Sequence, residues 1–278
     1  MTWTSDVPPP SVRPGPLGIC LALLRGLLMA LWLALGLAVL LSVRLIERPL
    51  CGPHRPVTPW IATGTCRAAL WIAGLRLHLC GSGPVRHGAI VANHSSWLDI
   101  LVLNAVAPVY FVSKAEVAHW PGIGLLARAT GTVFIDRHRR DAARQTALFR
   151  DRLTAGHRLL FFPEGTSTDG RQVLPFKPTL FEAFFHEGLR ARLSVQPVSV
   201  IYDAPPGEDR RFYGWWGDMA LGPHLLAVLS ARRRGCVRVV YHPPIRVAET
   251  AGRKALAQAC EAAIRDGLER GKKRAETG

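Results

Sequence analysis

The sequence predicts an α/β domain, layered on a largely parallel sheet and preceded by N-terminal membrane-associated helices. Three observations predict it. From residue 75 onward, short apolar strands alternate with helical stretches. Ahead of that alternation, the eighteen residues Gly26 to Val43 carry no charge, which is just enough to span a bilayer core. The 278 residues are 49% apolar and 20% charged, enough for one packed domain with a membrane-binding extension and too apolar for a disordered chain.

Residues 1–16 contain Pro8, Pro9, Pro10, Pro14 and Pro16 and read as a flexible or extended tail with no core of its own. Residues 17–74 form the membrane-associated helical segment. A secretory signal peptide fits poorly, because the apolar run is long and Val43-Arg44-Leu45 lacks small residues for cleavage. More Lys and Arg follow the run than precede it, so the bulk of the chain should face the cytoplasm, at the inner membrane if the source is bacterial. A second apolar stretch, Trp60 to Gly74, is interrupted by Arg67. Its pattern fits an interfacial helix or a buried core helix equally. Residues 75–278 form the α/β domain. Alternation of Leu75, Leu77 and Leu79 with Arg76, His78 and Cys80 marks its first strand. Further strands are expected at 88–93, 109–113, 132–136, 158–162, 195–202 and 236–241. Helices are expected at 96–106, 116–128, 141–155, 178–189, 223–230 and 250–270.

A net charge of +15 directs the surface toward polyanions. No helix-turn-helix, zinc-finger or RNA-binding aromatic signature accompanies it, so nucleic acid is excluded and an anionic membrane surface is the expected partner. Eight Arg against three Asp lie between residues 128 and 158, and Arg232, Arg233 and Arg234 form a second cluster. The six cysteines are at least fourteen residues apart, which gives neither a CxxC nor a zinc spacing. They read as reduced, mostly structural thiols. The histidines show no helical ligand spacing with a carboxylate, so no metal is expected.

Chemistry concentrates where strands end. Ala89-Ile90-Val91-Ala92 runs into Asn93-His94-Ser95-Ser96-Trp97-Leu98-Asp99. Ser95 or Ser96 can cap the following helix, leaving His94 in the turn and Asp99 in the first helical turn. Across a turn these two can meet, and a carboxylate on one ring nitrogen leaves the other as a base. The plain alternative is a turn histidine and a helix-start aspartate with no partnership. A second strand ends in Phe162-Pro163-Glu164-Gly165-Thr166-Ser167, whose turn can offer backbone N–H groups to an oxyanion or phosphate. It also reads as an ordinary strand-ending turn. Between them, Phe134-Ile135-Asp136-Arg137 delivers Arg137 at a strand end, and Tyr110-Phe111-Val112-Ser113 delivers Lys114. Both are candidates for an anionic head group, or plain surface cations.

In this order and spacing, over roughly residues 75–205, these pieces resemble the 1-acyl-sn-glycerol-3-phosphate acyltransferase (PlsC-type) family. Its hallmark His and Asp, four residues between them, are His94 and Asp99. Phe134-Ile135-x-Arg137, Phe162-Pro163-Glu164-Gly165-Thr166, Pro175-Phe176-Lys177 and the strand around Pro197 follow. The resemblance implies a sheet-based acyltransferase domain behind membrane-associated helices. It implies that His94 deprotonates an acceptor hydroxyl, that Asp99 orients His94, and that Glu164, Gly165 and Thr166 shape the acceptor site. It implies a lysolipid acceptor, acyl-CoA or acyl-acyl carrier protein as the donor and no other cofactor. The first acceptor implied is 1-acyl-sn-glycerol-3-phosphate, giving phosphatidic acid.

One position departs from the pattern. Many members carry Arg after Glu-Gly-Thr, where this chain has Ser167, so phosphate binding would fall to Lys114, Arg137, Arg171 or Lys177. Trp215-Trp216-Gly217-Asp218-Met219, with Pro223-His224-Leu225, looks like the branch that acylates lyso-ornithine lipid, whose head group is an amino acid without phosphate. That acceptor stands second. Two other classes compete. A hydrolase using Ser167 lacks the Gly-x-Ser-x-Gly elbow, and a non-catalytic basic membrane-surface protein leaves the strand-end motifs without a role.

Overall fold

The computed structural model describes residues 2–86, 88–120, 122–135, 142–186 and 188–276. Two helices lead, α1 (Pro16–Cys51) and α2 (Thr58–Ile72). The α/β domain then runs β1 (Leu75–Gly81), β2 (Gly88–Ala92), α3 (Leu98–Val106), β3 (Tyr110–Lys114), α4 (Ile123–Thr130), β4 (Val133–Ile135), α5 (Ala142–Thr154) and β5 (Arg158–Phe161). It closes with β6 (Ser194–Asp203), α6 (Leu221–Ser230), β7 (Gly235–Tyr241), β8 (Ile245–Arg246) and α7 (Arg253–Glu276).

The sheet order is β1-β7-β6-β2-β5-β3-β4, with β8 on the edge of β6 beyond β7. The run β6-β2-β5-β3-β4 is parallel throughout, as is the β1–β7 pair. Among the described residues, only the pairings of β6 with β7 and β8 are antiparallel. β2 is buried at every residue, as a strand covered on both faces must be. Ile90 and Ala92 join a core with Leu98, Val102, Val198 and Val239, on the side of α2 and α3. Ala89 and Val91 join the opposite core with Phe181, Phe184, Ile264 and Leu268, under α7.

Three expectations are corrected. The helix over 116–128 is two pieces, a 3-10 turn at Ala115–His119 and α4, because Gly122 takes a left-handed φ of 71° between them. The helix over 178–189 is 3-10 coil at Pro178–Phe185, where Phe181 and Phe184 face the core three residues apart. The short β8 was not expected, since Pro243-Pro244 hides it by interrupting the run from β7.

α1 is apolar nearly all round, yet it lies along the domain. Its buried residues are Gly18, Ala22, Met29, Gly36, Leu40 and Glu47, while Leu23, Leu24, Leu27, Leu31 and Leu35 point outward. Arg25 and Glu47 turn inward. Arg25 donates to the carbonyls of Leu229 and Ala231 at the end of α6, and Glu47 accepts the amides of Val57 and Thr58 at the start of α2. α2 buries Ala62, Cys66, Ala69 and Leu70 and exposes Trp60 and Trp71, so it is a core helix on one face with an exposed aromatic face on the other. The six cysteines are unpaired, and burial pushes the Cys66 and Cys260 thiols up to about 12.

The Pro-rich tail is extended and packs on the domain. Val12 rests against the larger core, and the Trp3 ring lies 6.1 Å from that of Trp216.

Candidate active site

Three adjacent parallel strands end at one edge of the sheet. β2 leads into His94, β5 into Glu164, and β6 carries Tyr202 in its last turn of pleat. Parallel pairing therefore gathers these residues at the carboxyl ends of the strands, where open α/β sheets build their sites.

Asn93 fixes the exit from β2. Its side chain accepts from the Val200 amide at 2.8 Å and donates to the Val200 carbonyl at 2.9 Å. The amide thus continues the β2–β6 ladder one step past Ala92↔Val198, after which the backbone can turn. The turn places the His94 ring beside Asp99, with Nδ1 to Oδ2 at 2.8 Å. The same oxygen accepts the amides of Ser95 at 2.7 Å and Ser96 at 3.0 Å, so Asp99 caps its own helix start while holding the histidine. The Phe162 ring stacks on His94 at 4.1 Å and 13° and fixes the imidazole plane. The His94 side chain is 21% exposed and that of Asp99 0%, so the imidazole is reachable and its carboxylate partner is not.

Glu164 works from beneath. It is 2% exposed. One carboxyl oxygen accepts the His94 amide and the other the Leu174 amide, each at 2.8 Å. It shapes the site by tying the β5 turn to the β2 turn, not by facing outward. Burial pushes its carboxyl up to about 8, against the pull of those two donors. Gly165 has a left-handed φ of 74°, and a Cβ there would lie 2.5 Å from Lys177 Nζ, so glycine lets that amine approach the turn. Thr166 Oγ1 accepts the Trp3 amide at 3.3 Å, which brings the N-terminal tail to this turn. The Gly165 amide donates to Phe162 and the Thr168 amide to His94, so neither is aimed at a ligand.

Lys114 ends β3, beyond β5 on the same edge, and is exposed. Arg137 lies outside the described residues. The structure thus brings together His94, Asp99, Glu164, Gly165, Thr166 and Lys177, with Lys114 on the same rim. Tyr202, whose hydroxyl donates to Asp99 Oδ1 at 2.6 Å, was missed from sequence. It belongs to no motif; asking which polar residues end the strands beside β2 would have found it.

The model of the family described as Acyltransferase matches residues 82–201. A lyso-ornithine lipid O-acyltransferase of Rhodobacter capsulatus is 57% identical, over 96% of both chains. A 1-acyl-sn-glycerol-3-phosphate acyltransferase of Neisseria meningitidis is 33% identical, over 63% of this chain and 67% of that one. In fold, the chain is similar to the crystal structure of PlsC from Thermotoga maritima, with a TM-score of 0.57 and 21% identity over 90% of this chain and 98% of that one. A relative this similar along nearly its whole length, together with the family match over the strands that build the site, shows that the chain belongs to the PlsC-type acyltransferase family.

Proposed function

We propose that the chain O-acylates lyso-ornithine lipid, with His94 as general base and Asp99 as the group that orients it. The observation that carries the mechanism is the 2.8 Å contact from His94 Nδ1 to a buried Asp99, on a ring that remains reachable. Held there, Nδ1 keeps its proton and Nε2 is left as the acceptor. Nε2 takes the proton of the acceptor hydroxyl as its oxygen attacks the thioester carbonyl. The new C–O bond forms, the C–S bond breaks, and the proton on Nε2 goes to the leaving thiolate. The Asp99 carboxylate stabilises the imidazolium between these steps. The thioester is already activated, so no protein nucleophile is needed. The donor is acyl-CoA or acyl-acyl carrier protein, with no further cofactor.

Two observations support the amino-acid head group. The Rhodobacter capsulatus relative, named for that acceptor, matches 96% of this chain at 57% identity. Ser167, which stands where many PlsC-type members carry Arg, is 8% exposed and cannot supply a guanidinium charge. Lysophosphatidic acid is the second reading, supported by Lys114 and Lys177 on the rim and by the Neisseria meningitidis relative's name. A side-by-side assay with one labelled acyl thioester separates them. We expect kcat/KM at least about tenfold higher with lyso-ornithine lipid, a margin of ~1.4 kcal/mol; equal or inverted rates would restore the phosphate acceptor. His94→Ala should lose about 100-fold or more in kcat in the same assay. Retained turnover in that variant would overturn the mechanism.

The apolar outer face of α1 supports membrane association. Its inner face touches the domain from Gly18 to Glu47, about 44 Å of helix at 1.5 Å per residue. We read α1 as lying in one leaflet, with the catalytic domain on the cytoplasmic side.

A further inference from the structure

Asp99 is held from two sides. Oδ2 takes His94 Nδ1 and two turn amides, and Oδ1 takes the Tyr202 hydroxyl at 2.6 Å. The two sets come from different elements. The first is local to the β2–α3 turn, whereas Tyr202 lies 103 residues away on β6, anchored by its pairing with Val237 of β7 and by its ring 5.6 Å from that of Tyr213.

We propose that Tyr202 is a positioning residue for acyl transfer, setting through Asp99 both the direction of the carboxylate and the strength with which it holds protonated His94. The proposal rests on His94 being the base. The turn amides alone leave the carboxylate free to pivot about Oδ2, and a donor on Oδ1 removes that freedom. A short bond to an oxygen also draws charge from the carboxylate, so the imidazolium opposite is stabilised less than by an unshared aspartate. Burial and the Asp99 charge hold the Tyr202 phenol well above its ordinary range, so it remains a neutral donor throughout the working pH. The other ionisable groups around the pair are His94 on the β2 turn, Glu164 from the β5 turn with Arg265 of α7 acting on it, and Tyr213 beyond β6.

The test is Tyr202→Phe, which keeps the ring and deletes the donor. We expect kcat to fall about tenfold, the loss of one hydrogen bond to a charged group, with KM for both substrates within about twofold. The acid limb of the kcat/KM profile should move to higher pH, because an aspartate with one donor fewer holds the imidazolium more strongly. A merely structural tyrosine would lower the melting temperature and leave that limb in place, and this result would overturn the proposal. Should the phenylalanine variant fail to fold, 3-fluorotyrosine at position 202 is a stronger donor of nearly the same size and should move the limb to lower pH. An unmoved limb there refutes the role equally. His94→Ala, assayed alongside, separates the two ideas. Its inactivity with an unmoved limb in the Tyr202 variants sinks only the tyrosine's role, and its activity sinks the base.

Discussion

Asp99, in the first turn of α3, and Glu164, in the turn after β5, are both buried carboxyls, and hydrogen bonding separates their roles. Asp99 accepts two turn amides and also faces a ring nitrogen and a phenol, whereas Glu164 accepts two backbone amides. Asp99→Asn presents an amide where the imidazole needs an acceptor, so the fold should persist while kcat falls steeply, by about 100-fold or more. Steady-state kinetics and a thermal melt on one preparation check both halves. Glu164→Gln acts on stability. A Gln amide meets one of the two backbone N–H groups with an NH2, leaving a buried donor unpaired at about 1–3 kcal/mol. The sign of its pH dependence follows from a folded value raised to about 8 from an ordinary 4.5. The proton on Glu164 contributes stability fully below about pH 4.5, and that contribution is lost as pH rises toward 8. Wild type should therefore melt above Glu164→Gln at pH 5, and the gap should narrow by pH 8.5. A gap that widens would contradict the raised carboxyl. Ser167→Ala should cost little activity, and complete loss there would revive a nucleophilic serine. At this scale the sequence was most legible where residues are close in the chain. His94 and Asp99 straddle one turn, so their spacing announced their meeting. Tyr202 and Asn93 act across β2 and β6, 107 residues apart at the Asn93–Val200 contact, and no local pattern encodes such a pair.

Strands and helices were legible wherever burial on one or both faces left a period. β2, β5 and β6 read as apolar runs because parallel strands in the middle of a sheet are covered on both sides. The errors fell where backbone chemistry overrides the apolar pattern, at Gly122, at Pro178 and at Pro243-Pro244. The crossing of α1 over α2 has its own signature, legible only in three dimensions. At Gly36 a Cβ would lie 2.5 Å from the Thr65 side chain, and Trp32 Nε1 donates to the Thr65 carbonyl at 3.1 Å on the same face. Gly36→Leu must push the helices apart. Overpacking of this kind costs about 1–3 kcal/mol, so the melting temperature should drop by several degrees. The His94 turn lies elsewhere, and kcat at low temperature should be unchanged. A variant as stable as wild type would show that the two helices do not pack closely in the membrane-bound protein.

The molecule as a whole joins a basic surface of net charge +15 to an apolar helix fastened along its flank. These two features act on a bilayer differently. On the proposed membrane association, charge would draw the domain to an anionic surface and be screened by salt, whereas the outward leucines of α1 would hold it there by burial in the acyl layer. On that reading, which way α1 lies would decide where the sheet edge with His94 meets the lipid. A helix crossing the bilayer would have to leave α6, where Gly18 packs on Ser230 and Ala22 clusters with Leu229. Arg25 would then lose the α6 carbonyls and enter hydrocarbon unpaired. An in-plane helix keeps all of these contacts and presents Leu23, Leu24, Leu27, Leu31 and Leu35 to one leaflet. The two arrangements differ in where the ends of α1 emerge. Ser11 before it and His54 after it are both exposed, so each can be replaced by cysteine without disturbing the core. In sealed vesicles, with Cys20 and Cys51 changed to serine, a membrane-impermeant thiol reagent should label Ser11→Cys and His54→Cys from the same side. Labelling from opposite sides would mean that α1 spans, and that its packing against α6 and α2 is released when the protein enters the bilayer.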